Sequence, residues 1–184
     1  MDKIVINNLS FKKYLSAETI AERVKELAEE IEKDINLNEW TFVILLNGAY
    51  VFASDLLRCF TKDVETKFIK LSSYQNMESS GAVNFDPNVL GNIEDKKLFL
   101  IEDIIDTGQT LHEFTEYLKT KNVNDLKICS LLLKPSKLKH NITPHYLGFT
   151  ITDLFVVGYG LDFNERGRGL KDVYVLNDAS TSST

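Results

Sequence analysis

Three short runs of almost unbroken apolar residues, TFVILL (41–46), KLFLIED (97–103) and LKICSLLL (126–133), constrain this chain more than anything else in its sequence. A run of that length without alternation reads as a strand buried on both faces. Helical segments separate the runs. Ile20, Val24, Leu27 and Ile31 recur at helical spacing between about Ala17 and Ile35, with Ser16 as N-cap and Glu18 at the positive end of the dipole. Asn47-Gly48 breaks the first run and a helix follows through Phe60. Another leads from the turn DTGQT (106–110) to about Lys121. VETKFIKLSSY (64–74) is rich in β-formers, and FVVGYG (155–160) and DVYVL (172–176) read as the fourth and fifth apolar strands. Strands alternating with helices predict an α/β fold with a central parallel sheet flanked by helices. Ligands of such sheets bind beyond the carboxyl ends of the strands. Asn47-Gly48, Glu102-Asp103, Lys134 and Gly158–Asp162 occupy those ends and are expected to line one crevice.

A length of 184 residues fits one domain, taken as 1–177, with the polar DASTSST (178–184) as a flexible tail. The net charge of −6 and the lack of a basic stripe argue against nucleic acid as a partner. The longest uncharged stretch, Trp40–Ser54, falls short of the ~20 apolar residues of a membrane span. No secretory leader is visible at the N-terminus, so a soluble, cytoplasmic protein is expected. Cys59 and Cys129 read as reduced thiols, His112, His140 and His145 lack metal-ligand spacing, and Trp40 reads as packing.

The segment LFLIEDIIDTGQTL (98–111) carries the strongest chemical signal. An apolar strand delivers Glu102 and Asp103, then a tight turn leads into a helix N-terminus. Gly108 lets the backbone approach a ligand, and turn amides with the Thr107 and Thr110 hydroxyls can ring a phosphate. A simpler reading has Asp106 or Thr107 merely capping the helix. That reading leaves Glu102 and Asp103 unexplained. Two carboxylates beside a phosphate site repel it unless they bind sugar hydroxyls or act through Mg²⁺, which implies a phosphosugar.

IEDIIDTGQT resembles the phosphoribosyl-pyrophosphate signature of the type I phosphoribosyltransferases, and Ile104-Ile105 the hypoxanthine-guanine members in particular. The likeness extends in order through LLNGAY (45–50), LSSY (71–74), SLLLKP (130–135) and FVVGYGLDFNERGR (155–168). The resemblance implies the type I phosphoribosyltransferase fold, with a small hood over the base built from the N-terminal residues and about 147–177. It also implies Mg²⁺-dependent transfer of a phosphoribosyl group from phosphoribosyl pyrophosphate to N9 of a 6-oxopurine, hypoxanthine or guanine, in purine salvage. A homodimer or homotetramer is the usual family assembly.

The same resemblance assigns roles. Glu102, Asp103, Asp106, Thr107, Gly108, Gln109 and Thr110 hold the phosphoribosyl group, with Asp106 as the general base that takes the N7 proton. Asn47, Gly48 and Arg168 bind pyrophosphate, with a cis peptide after Leu46. Lys134 donates to O6, Phe155 stacks on the purine, and the backbone of Val156 and Asp162 reads its remaining edge. Glu102, Asp103 and Asp162 help hold the metal. Ser73 and Tyr74 open a lid that continues through the long loop 75–92, shielding an oxocarbenium-like centre from water. Without the resemblance, Lys134 reads as a solvated strand-end lysine and Phe155 as one more core aromatic. Arg166 rivals Arg168. Asn47 and Gln109 stand where the family often has lysines, which removes two cations from the donor site. Xanthine as the base, or a non-catalytic regulator on the same fold, are the alternatives.

Overall fold

The structure, a computed structural model, describes residues 3–73 and 83–177. The chain opens on two strands, β1 (Lys3–Ile6) and β2 (Leu9–Leu15), and continues through α1 (Ala17–Asp34), β3 (Trp40–Leu46), α2 (Tyr50–Cys59) and β4 (Glu65–Lys70). Two short strands, β5 (Ser72–Ser73) and β6 (Val83–Asn84), pair with each other. Then come β7 (Lys97–Ile105), α3 (Gln109–Lys119), β8 (Asp125–Leu133), β9 (Tyr146–Thr150), β10 (Val156–Val157) and β11 (Val173–Leu176).

β4, β3, β7, β8 and β9 form, in that order, an all-parallel sheet. Its strands explain their own composition. Phe42 and Ile44 face the cluster that holds Ile20, Val24 and Leu27 of α1 and Phe52 of α2. Val43 and Leu45, one residue out of phase, face Leu111, Phe114 and Leu118 of α3. Both faces are dry, so neither can be polar. Ser16 caps α1 as expected, accepting from the Thr19 amide at 3.2 Å.

A second sheet, antiparallel in the order β1-β2-β11-β10, packs Phe11, Val157 and Tyr174 into a small core of its own. It joins the two chain ends, and the Ala17 amide of α1 donates to Asp172 at 2.8 Å. Three sequence expectations change here. The runs 155–160 and 172–176 contribute strands to this second sheet rather than to the central one. The fifth central strand is β9, YLGFT, so residues 147–150 belong to the central sheet and not to the hood. β9 lacks an apolar run because it is an edge, and Gly148 lies so close to β8 that a Cβ there would come within 2.5 Å of the Leu131 carbonyl oxygen. The β1–β2 hairpin had no counterpart in the sequence reading beyond the few N-terminal residues given to the hood. Tyr74 and the tail 178–184 lie outside the described residues.

Candidate active site

The turn after β7 is built on Gly108, whose φ of +74° is left-handed and places it as the N-cap of α3. The Asp106 carboxylate does not cap that helix. It turns instead to the end of β8, where Lys134 Nζ donates to Asp106 Oδ2 at 2.9 Å. Lys137 pairs with Asp106 Oδ1 at 3.2 Å and with Asp153 at 3.3 Å. Burial pushes the Asp106 carboxyl up, but the two ammonium groups outweigh it and hold the acid below its usual range. Lys134 is 5 % exposed. It is therefore no solvated strand-end lysine: a buried ammonium needs partners, and these carboxylates supply them.

β7 runs on past Asp103 to Ile105, so the acidic pair lies within the strand and not at its end. Asp103 is buried and points at the loop after β3, where a Cβ on Gly48 would come within 1.7 Å of Asp103 Oδ2. Burial and the neighbouring Asp103 carboxylate push Glu102 well above the usual carboxylate range. The peptide bond Leu46–Asn47 is cis, as the resemblance implies. A cleft of about 220 Å³ collects Asn47, Gly48, Glu102, Asp103 and the whole turn 106–110. A larger cavity between residues 87–94 and the end of α3 contains none of these residues.

The second sheet contributes the remaining predicted residues. Phe155 is exposed at 45 %, which excludes it as a core aromatic. Its ring lies edge-on to Phe163 at 5.6 Å and tilted to Phe11 at 6.3 Å between centroids. Val156 is buried in β10. Arg168 donates to the Gly160 carbonyl at 2.8 Å and pairs with Asp162 at 2.7 Å. Arg166, the rival, is exposed. Asp162 is thus committed to Arg168 and, through its other oxygen, to the Glu165 amide at 2.7 Å. Gly160, at φ +100°, abuts the core loop: a Cβ there would lie 2.1 Å from the Gly48 carbonyl oxygen. Ser73 is placed in β5, paired with Val83. The sequence reading missed Lys137 and Asp153, whose only signal was charge close to the ends of apolar strands.

Among the described residues no three of His, Cys, Asp and Glu converge on one point. Glu102, Asp103 and Asp162 therefore do not form a closed metal cage. The adjacent carboxylates Glu102 and Asp103 still fit Mg²⁺, an ion commonly held by one or two carboxylates that takes its other oxygens from substrate and water. No described helix is long and apolar enough to cross a membrane.

The model of the phosphoribosyl transferase domain matches residues 10–164, spanning the acidic pair, the turn and Lys134. The chain belongs to the phosphoribosyltransferase family. This phosphoribosyltransferase is 41 % identical over 175 residues to the hypoxanthine-guanine phosphoribosyltransferase of Aquifex aeolicus, covering 94 % of the chain and 98 % of the relative. It is 40 % identical over 163 residues to the enzyme of the same name from Staphylococcus aureus, covering 88 % and 91 %. Its fold matches a crystal structure of a hypoxanthine phosphoribosyltransferase from Staphylococcus aureus with a TM-score of 0.84, 37 % identity and 94 % of each chain covered.

Proposed function

We infer that this phosphoribosyltransferase moves the phosphoribosyl group of phosphoribosyl pyrophosphate to N9 of hypoxanthine or guanine, giving IMP or GMP and pyrophosphate in purine salvage. The observation that carries the base assignment is the 2.9 Å contact between Lys134 and Asp106. O6 and N7 lie side by side on one edge of a 6-oxopurine. A donor-only ammonium beside a carboxylate matches that edge: Lys134 has further N–H groups for O6, and ionised Asp106 accepts the N7 proton. An adenine amino group would meet a donor with another donor.

The reaction breaks the bond from C1′ to pyrophosphate and forms one from C1′ to N9, and Asp106 takes the proton that N7 releases. The amides and hydroxyls of 107–110 hold the 5-phosphate, while Glu102 and Asp103 hold the ribose hydroxyls. The backbone around Asn47-Gly48, with Arg168, binds the leaving group, and Phe155 stacks on the base. Mg²⁺, when held by the acidic pair and the substrate oxygens, supplies positive charge to offset the pyrophosphate in a protein of net charge −6. The reading extends to a cytoplasmic dimer or tetramer, consistent with Cys59 and Cys129 as free thiols.

The test is pyrophosphate release with Mg²⁺ and phosphoribosyl pyrophosphate against hypoxanthine, guanine, xanthine, adenine and uracil separately. Turnover with the first two is expected. Turnover only with another base would discard the role of Lys134. Nucleotide binding without turnover on any base would make the chain a regulator.

A further inference from the structure

The segment joining β8 to β9 is fastened along the turn 106–110 at successive residues. Lys134 and Lys137 grip Asp106, as described. Beyond them the Lys139 amide donates to the Thr107 carbonyl at 3.0 Å. Leu138 and Ile142 close on Gly108, where a Cβ would lie 3.4 and 3.2 Å from their methyl carbons. His140 completes the series, its Nε2 lying 2.6 Å from Gln109 Oε1.

The direction of that last bond follows from its neighbours. The Gln109 amide nitrogen donates to Glu113 one turn along α3, and an ionised carboxylate can only accept. Gln109 Oε1 therefore faces His140, and a carbonyl oxygen needs a donor, so His140 carries its proton on Nε2. The ring is held edge-on to Gln109 by His112, stacked at 4.0 Å between centroids and 12° from parallel. His112 is itself anchored in α3, its amide donating to the Gly108 carbonyl at 2.8 Å.

We propose that His140 is a positioning residue for the phosphoribosyl donor, acting through Gln109. Its bond, with that to Glu113, fixes the side chain of Gln109, the first residue of α3, and so holds the end of the phosphate turn in place. Without it the turn is no longer anchored at Gln109, whichever partner is removed. The β8–β9 segment then serves both substrates, with Lys134 at its purine end and His140 at its phosphate end. This rests on the assignment of 106–110 to the 5-phosphate.

The experiment measures KM for phosphoribosyl pyrophosphate, KM for hypoxanthine and kcat in five variants. H140F keeps a ring to stack on His112 but has no donor. It is expected to raise the donor KM about three- to tenfold, the effect of one net hydrogen bond, while the hypoxanthine KM and kcat change less than twofold. H140Q, whose amide nitrogen can reach the place of Nε2, restores the donor KM to within twofold. Q109L tests the link from the other side and holds even if H140F folds poorly. The double variant H140F/Q109L raises the donor KM no further than either single change, because both break one interaction. An unchanged donor KM in H140F, an equal rise in both KM values, or additive effects in the double variant would overturn the role of His140. T107A distinguishes the two readings: if it leaves the donor KM unchanged the phosphate turn itself is misassigned, and if it raises that KM while H140F and Q109L do not, only His140 is.

Discussion

Lys134 reaches across from the end of β8 to place its ammonium 2.9 Å from the Asp106 carboxylate, with Lys137 3.2 Å from the other oxygen. One anion shared by two cations, partly out of water, stays ionised at acidic pH. It also fixes the direction in which a proton can be received.

Asp106→Asn removes that acceptor while preserving shape. kcat is expected to fall by about 10²–10³, within the range for general-base groups, with the KM for phosphoribosyl pyrophosphate changed less than threefold. Steady-state kinetics with hypoxanthine checks this, and unchanged turnover would remove Asp106 as the base.

Lys137→Met leaves Lys134 in place but withdraws one of the charges that hold Asp106 down. The base works ionised, so activity is lost as pH falls through its pKa. Raising that pKa moves the acid limb of kcat/KM to higher pH. A pH profile of the two proteins measures the shift, and superimposable limbs would exclude the pairing as a tuning device.

Lys134→Gln exchanges a donor-only group for one that also accepts. Discrimination against adenine, of about 10⁴ where a buried polar partner enforces it, is expected to shrink by about 10²-fold. Competition between hypoxanthine and adenine reads it directly.

Glu102→Gln is expected to stabilise the protein while impairing it. Burial and the Asp103 carboxylate raise the pKa of Glu102 in the fold, so its charged form costs the native state more than the unfolded chain. The protonated form's contribution to stability is complete below the unfolded pKa and is lost as pH rises through the folded one. The amide has no proton to lose. Tm at pH 8 is expected to rise by about 2 °C or more relative to the native chain, and the gap to narrow toward pH 4. Thermal melts at both values test it; a gap independent of pH would refute the cause.

The central sheet was legible because both its faces are buried, which forces unbroken apolar runs at 41–46, 97–103 and 126–133. The turn 106–110 was legible because glycine and hydroxyl residues have few uses after a strand with two carboxylates. β9 was not, since an edge strand carries no such run and its Gly148 reads as a break. The second sheet joins β2 to β11 across almost the whole chain, a pairing that local pattern cannot express. Lys137 and Asp153 escaped for a related reason: only the fold brings them to Asp106. His140 carried no signal beyond its lack of metal-ligand spacing, because its partner lies 31 positions away.

Asp103, Gly48 and Gly160 follow one another in close contact, with a carboxylate against the first glycine and that glycine's carbonyl against the second. The Gly48 backbone lies between the Asp103 carboxylate and Gly160, so the acidic pair and the loop after β10 are held about one peptide thickness apart. A methyl group at either glycine acts as a shim, and the two sheets lose their common gauge.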